Sequence, residues 1–523
     1  MSHILGIDLG TTNSCVAILN ERKSPEVLSA SNGTRTTPSV VAFSTGNNDV
    51  LVGNTALRQM VTNPTRTIFG SKRLIGRKVN HSEVKSLAKV APYEIAAAPN
   101  GDAWIRLKEG IISPQEIASH VLLHCKSMAE DVIGEPLTRA IITVPAYFDD
   151  SQRQATKDAG TIAGIEVLRI LNEPTSAALA YGAHRVKDER RVIAVFDLGG
   201  GTFDISIMSV DDGVFEVLST AGDTALGGDD WDRALVEKIV DEIFDKERID
   251  VSEDPVAMGR IYEAAKKAKQ DLSSMSATEI NLPYLAQVAG APLQFSRKIT
   301  STELQAITSH LVERLAAPCL QAIEDAGLDK SKLEDILLVG GMTRMPAIQE
   351  KVKAIFGKDP NKGVNPDEIV AMGAAAYAGI LSGDLDDATL LDVAPHTIGI
   401  KVGSHGFAPI IDRNSMLPVR ETKLFATSHD GQSFIDIDIY QGEDKDTRNN
   451  RRLGKIRLDD IAAKGAGKIK IELVMTLDVE SILHVKAKEL SSGNVSEIKI
   501  KPNSGLSAED IDDIIRRRRE KNS

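Results

Sequence analysis

Val192-Ile193-Ala194-Val195-Phe196-Asp197-Leu198-Gly199-Gly200-Gly201-Thr202-Phe203-Asp204, continued by Ile205-Ser206-Ile207-Met208, is the stretch whose reading decides the fold. An apolar run, an aspartate, three glycines with a threonine, and a second run alternating apolar and polar spell a buried strand, a tight turn and a return strand. The glycines leave the turn's N–H groups uncovered and free to take positive φ, as a loop wrapping phosphate oxygens requires. Taken alone, the stretch also reads as no more than a glycine-rich turn. The device recurs, however: Ile4-Leu5-Gly6-Ile7-Asp8-Leu9-Gly10-Thr11-Thr12-Asn13-Ser14-Cys15-Val16-Ala17-Ile18 repeats the order strand, Asp, Leu, Gly, Thr and returning strand. A third strand-to-glycine turn follows at Ile336-Leu337-Leu338-Val339-Gly340-Gly341-Met342-Thr343-Arg344. Two hairpins of like build, each with an aspartate at its mouth, predict a duplicated α/β domain that clamps a nucleotide's phosphate tail and a metal between its halves.

The chain of 523 residues is too long for one core and is expected to divide into about two to four domains. A net charge of −12 argues against a general nucleic-acid or anionic-membrane surface. No apolar run approaches the ~20 residues of a membrane helix, and the few residues ahead of Asp8 leave no room for a signal peptide. The expected compartment is therefore the cytoplasm. Cys15, Cys125 and Cys319 are odd in number and far apart, which indicates neither a disulfide framework nor a zinc site.

Between the two hairpins, Ser39 to Phe43 and Val50 to Gly53 read as strands and Asn54 to Met60 begins a helix. Lys72, Arg73 and Arg77 read, by physics alone, as a solvated basic face. Ile111 to Ile133 is helical by periodicity, Ala140 to Val144 is a strand stopped by Pro145, and Gln152 to Ala163 is another helix. Val167 to Leu171 is a strand running into Asn172-Glu173-Pro174-Thr175. Pro174 suits a first helical position, which puts Glu173 at the cap, at the strand end where α/β folds place ligand groups. An acid there serves as a cap. Beside Asp8, Asp197 and Asp204 it also joins a cluster of like charge that needs a cation, and magnesium is the natural occupant.

Gly383 to Asp392 is an acidic stretch carrying a small apolar plug, Ala388-Thr389-Leu390-Leu391, and reads as a linker. Beyond it the period becomes two: Ile435, Ile437 and Ile439 alternate with Asp436, Asp438 and Tyr440, Ile469, Ile471 and Leu473 with Lys468, Lys470 and Glu472, and Ile498 and Ile500 with Lys499 and Lys501. That predicts an antiparallel β-sandwich of about 110 residues. Ser507 to Ser523 reads as a helix of about 25 Å at 1.5 Å per residue, capped by Ser507 and Asp510, whose four arginines form a solvated end.

Gly6-Ile7-Asp8-Leu9-Gly10-Thr11-Thr12, Val144-Pro145-Ala146-Tyr147-Phe148, Asn172-Glu173-Pro174-Thr175 and Asp197 to Asp204 resemble, in wording, order and spacing, the signatures of the 70-kDa heat-shock (DnaK-type) chaperones. The resemblance covers nearly the whole chain. It implies an α/β duplicated actin-like (ribonuclease H-like) ATPase domain over residues 1–382, with lobes of roughly 1–187 and 188–382. A linker at 383–392, an antiparallel β-sandwich peptide-binding domain at 393–505 and the start of a C-terminal helix at 506–523 would follow, without the family's long helical lid. The activity implied is ATP hydrolysis that drives binding and release of extended hydrophobic segments of unfolded proteins. ATP or ADP with Mg2+ would be the cofactors, and K+ is a further candidate ion. Client peptides, a J-domain co-chaperone and a nucleotide exchange factor would be partners of a monomer that takes neither nucleic acid nor membrane.

Carried over by resemblance, Thr11, Thr12 and Thr202 would hold phosphates together with Gly10, Asn13, Gly199, Gly200 and Gly201. Asp8, Glu173 and Asp197 would hold magnesium through its waters, Asp204 would complete the acidic cluster, and Lys72 would orient the attacking water. Leu226 to Asp232, with Gly227 and Gly228, is similar to the family's second glycine turn, and Arg260 to Ser274 to its ribose-contacting helix. Lys269 and Ser273 match there, whereas Lys266 stands where the family usually has an acid for the ribose hydroxyls. Gly340, Gly341, Arg344 and Asp367 match the adenosine end. Pro145 and Arg153 match an interdomain switch, to which Leu390, Leu391 and Asp392 of the linker belong, and Arg169 matches a position implicated in J-domain contact. Ile400, Phe425, Ile435 and Ile437 align with groove-lining residues, and Gly403 and Ser428 with the apolar arch over the groove. By strand alternation alone those four apolar residues are sandwich core. Two other classes stay open: a small-molecule, sugar-type kinase of the same duplicated architecture, and an actin-like filament protein. The C-terminal sandwich is superfluous to both.

Overall fold

The hairpin read from Val192 to Met208 forms from Arg191–Leu198 and Phe203–Asp211, antiparallel, with Asp197 opposite Asp204 beside the turn. Leu5–Asp8 and Asn13–Leu19 form the earlier one, with Asp8 opposite Cys15. The computed structural model describes residues 3–522 except 46–48, 183–189, 289–290, 387, 462–463 and 500–504. Asp387 of the linker, Ile500 and Lys501 of the last alternating run, and the expected lobe boundary at 187 and 188 lie outside the described residues.

Each hairpin anchors a mixed sheet of like construction. In the first, the strand order is Glu166–Asn172, Arg139–Val144, Leu5–Asp8, Asn13–Leu19, Pro25–Val27; in the second it is Asp335–Val339, Arg191–Leu198, Phe203–Asp211, Val214–Asp223, Thr389–Leu391. The leading strand of each hairpin runs parallel to a strand that the chain reaches only after helices, Arg139–Val144 in one case and Asp335–Val339 in the other. Ile193, Ala194, Val195 and Phe196 are all buried although consecutive side chains face opposite ways, which requires cover on both faces. The alanine-rich helix Ile369–Leu381 packs closely on the Leu5–Asp8 strand and on Glu173–Gly182, so late sequence returns to the first sheet.

Several sequence expectations shift. The helix expected from Ile111 starts at Pro114: Ser113 Oγ accepts the Glu116 N–H at 3.1 Å, Pro114 fixes the first turn, and Gly110–Ile112 instead pairs with Ala103–Leu107 as a strand. Thr300-Ser301-Thr302-Glu303 reads in sequence as a capping box for the helix Ser301–Arg314, and it is half made. Thr300 Oγ1 accepts the Glu303 N–H, while the Glu303 carboxylate pairs with Arg297. Lys72 and Arg73 are buried, at 7 % and 6 % exposure, which overturns the solvated basic face. The acids that draw them inward lie on distant parts of the chain, where local sequence gives no hint of them.

Between Ile398 and Lys499 the chain forms two four-stranded antiparallel sheets, ordered Gly406–Ile411, Ile398–Val402, Ile435–Gln441, Arg451–Leu458 and Val419–Ala426, Lys470–Leu477, Leu483–Glu489, Val495–Lys499. They share a core that includes Ile398, Ile439, Ile471, Leu473 and Val485. The linker is not free chain: Thr389–Leu391 is an edge strand parallel to Val214–Glu216, with the Thr389 N–H bonded to Gly213 O at 2.9 Å. Arg413 and Asn414 both bond Asp325, at 2.9 and 3.0 Å, and Asn414 Oδ1 accepts the Thr220 N–H, so the paired sheets dock on the second mixed-sheet half.

The terminal helix Ala508–Asn522 has the expected cap, Ser507 Oγ accepting the Asp510 N–H and Asp510 Oδ2 the Ser507 N–H. Its arginines are not simply solvated. Arg518 donates to Ile162 O at 3.0 Å and Ser119 Oγ at 2.7 Å, which seats the helix on the first half, because an apolar residue, Ile514, is buried one turn away. No described helix is long and apolar enough to cross a membrane.

Candidate functional site

The two hairpin turns meet. A Cβ on Gly200 would collide with the Thr12 side chain, so the 199–202 turn can lie against the 10–13 turn only with glycine at that point. The turn at Gly227 closes on the same place, Gly228 N–H bonding Gly199 O at 2.9 Å and Asp229 N–H bonding Gly200 O at 2.8 Å. Between them opens a cavity of ≈350 Å³. Its walls include Asp8, Gly10, Thr11, Thr12, Asn13, Lys72, Glu173, Asp197, Gly199, Gly200, Thr202, Gly228, Lys266, Lys269, Ser273, Gly340, Gly341, Arg344 and Asp367. Of the expected nucleotide and metal residues, Gly201, Gly227 and Asp204 do not line it and sit immediately behind. A larger cavity, ≈790 Å³, lies between Val50–Val52, the helix Pro114–Ile133 and the terminal helix, and contains none of these groups.

One wall is acidic. Burial first, then Glu173, pushes the Asp8 carboxyl up to about 7, against the pull of Lys72. Asp197 is raised well above the ordinary carboxylate range by burial, then by Glu173, Asp204 and Asp8. Burial and then Glu173 raise Asp204 to about 7, although it accepts the Tyr147 N–H at 2.9 Å. Glu173 is the first residue of its helix, one position inside the expected cap, and its side chain reaches into the cavity, where Lys72 Nζ donates to Oε1 at 2.9 Å. Four acids thus face one directly bonded ammonium. That surplus of buried negative charge fits a divalent cation. Among the described residues no group of three or more acidic, histidine or cysteine side chains is placed to ligate a metal ion directly.

The other wall is basic. Lys269 Nζ forms an ion pair with Asp232 and donates to Gly228 O, each at 2.8 Å, and Arg344 donates twice to Asp367 Oδ2, at 2.6 and 3.0 Å.

Of the expected switch residues, Arg153 donates to Ala146 O, Phe148 O and Asn172 Oδ1, at 3.0, 3.1 and 2.7 Å, and Asn172 Nδ2 donates to Asp392 Oδ2 at 2.6 Å. Asn172 is the residue before Glu173, so one hydrogen bond separates the linker from the cavity's acidic wall. Pro145 is buried just past the neighbouring strand Arg139–Val144, where its carbonyl accepts the Phe148 N–H at 3.1 Å. Arg169 lies over the Tyr377 ring, 5.2 Å from its centroid. Leu390 and Leu391 are half-buried.

In the paired sheets, Ile400 and Ile437 are core residues and Phe425 and Ile435 flank it, as strand alternation alone suggests. Gly403 and Ser428 are exposed, and Gly403 holds φ +59°, a conformation in which a larger residue would be strained.

Two features escaped the sequence reading. Arg73 bonds Asp230 at 2.7 Å, approaches Asp229 at 3.3 Å and donates to Gly200 O at 3.3 Å, tying the first half to the turn of the second. Its partners lie so far along the chain that no local pattern marks them. His396 sits on Tyr147, rings 4.1 Å apart, with Nε2 3.2 Å from Tyr147 O, next to the N–H that Asp204 accepts. The only signal was proximity to motifs already singled out. A family model described as Hsp70 protein matches residues 4–523, and the chain belongs to the Hsp70 family.

Proposed function

We propose that this protein is an ATP-driven chaperone in which hydrolysis at the ≈350 Å³ cavity controls binding and release of extended apolar peptides by the paired sheets. Membership of the Hsp70 family carries a chaperone role in general, and with it ATPase activity, ATP or ADP with magnesium, client peptides and co-chaperones. The finer assignment is an actin-like ATPase domain over residues 1–382, a linker at 383–392 and a β-sandwich peptide-binding domain at 393–505. The observation that carries it is the bond from Asn172 to Asp392, which joins the linker to the strand end presenting Glu173.

In this reading the N–H groups of the 10–13 and 199–202 turns, with Thr11, Thr12 and Thr202, cradle the phosphates. Asp8, Glu173 and Asp197 would hold magnesium. When bound, that ion neutralises charge developing on the phosphate oxygens. Lys72 has three N–H donors and spends one on Glu173, so the others are available to align the attacking water. The nearby carboxylates are the proton acceptors.

Single-turnover ATP hydrolysis tests the assignment. Turnover should need no acceptor other than water and should rise severalfold with an extended apolar heptapeptide. A requirement for a small-molecule acceptor would give the kinase instead, and nucleotide-dependent polymers the filament protein.

The docked linker sharpens a second expectation. Ala388 is half-buried against the core around Phe215, whereas Thr389 faces solvent. Ala388→Val should add about 1 kcal/mol of docking through partly buried methyl groups, raising the ATP-induced change in peptide release about fivefold. Thr389→Leu should leave it unaltered. Equal effects of the two variants would show that docking in solution uses another face of this strand.

A further inference from the structure

The cavity's cations are matched by acids with one exception. Lys72 pairs with Glu173, Lys269 with Asp232 and Arg344 with Asp367. Behind them, Arg73 and Arg233 answer Asp229 and Asp230. Lys266, on the helix Pro255–Asp271, lines the cavity and forms no ion pair or hydrogen bond among the described residues. The charges acting on it are Asp232 and Asp229, both already paired with other cations, and Lys269. Burial lowers its pKa below the ordinary lysine value, so an anion brought beside it would restore an ammonium now held at a cost. The acid with the strongest hold on both Asp8 and Asp197 is Glu173, on the opposite kind of wall.

A ligand suited to this cavity carries one anionic group toward the hairpin turns and a second, separate one toward Lys266. On the reading that the turns hold a nucleotide's 5′-phosphates, the second group belongs on the sugar. We propose that Lys266 forms a subsite for an anionic substituent on the ribose, so that the protein prefers nucleotides phosphorylated at the 2′ or 3′ position over those with free hydroxyls. The physics is that of dinucleotide sites, where an acid selects the free 2′-hydroxyl and a basic residue selects the 2′-phosphate. An ammonium without a partner also offers three donors and no acceptor, so it cannot take the hydrogen that a ribose hydroxyl would donate.

The experiment is calorimetric titration of the full chain with ADP, 2′-phospho-ADP and 3′-phospho-ADP. One phosphorylated form should bind about ten- to a hundredfold tighter than ADP, as a charge-assisted hydrogen bond allows, and the arm that gains identifies the position. Lys266→Met should bring the ratio to about one, and Lys266→Glu should reverse it while tightening ADP itself. ADP binding by each variant also reports that it is folded. If ADP binds the wild type and neither phosphorylated form binds more tightly, the subsite is refuted while the nucleotide reading stands. If ADP does not bind at all, both fall together.

Discussion

Lys72→Ala should lower single-turnover ATP hydrolysis by about 10²–10³-fold, the usual effect of removing one positioned donor from a charge-stabilising site, while ATP binding persists. The asymmetry follows from the geometry. Lys72 bonds Glu173 and not the glycine turns, so its loss leaves the phosphate cradle intact. The variant also makes the wall of Asp8, Glu173 and Asp197, with Asp204 behind it, more negative, so cation binding should not weaken. Binding by calorimetry and hydrolysis by quenched flow separate the two effects. A wild-type hydrolysis rate would remove Lys72 from the mechanism, and loss of ATP binding would place it in the cradle.

Arg73→Met should destabilise the protein by about 3–5 kcal/mol, the cost of stranding one side of a buried ion pair. Burial opposes the Arg73 charge, yet Asp229 and Asp230 outweigh it and hold the guanidinium above its ordinary pKa. Asp230 is 2 % exposed, and without Arg73 it would keep Arg233 at 2.9 Å and the Gly227 N–H at 2.8 Å. Because Arg73 also holds Gly200 O, the 199–202 turn should loosen and nucleotide affinity fall together with stability. Guanidinium unfolding with and without ADP measures both. A change below about 1 kcal/mol would mean that water reaches the pair, as it does at surface bridges.

The hairpins, the aspartates at their mouths, the glycine turns and the period-two strands were legible in sequence because each depends on neighbours a few positions away: φ freedom at glycine, alternation along a strand, a cap three residues from its partner. The duplicated build of the two halves followed from a repeated word order for the same reason. Charge placement was not legible. Lys72 and Arg73 read as a wet basic face because their acids, Glu173, Asp229 and Asp230, are supplied by other elements, and only the closing of one half on the other takes those charges out of water. The linker and the terminal arginines failed in the same way. Ala388 to Leu391 has too little apolar surface to announce a strand, and becomes one because Val214–Glu216 leaves an open edge beside it. Arg518 points inward because Ile162 O and Ser119 Oγ lie across from it. Local sequence thus set most elements and the chemical type of each candidate residue, whereas the tertiary structure decided which charges are paired, which are buried, and that Lys266 has no partner among the described residues.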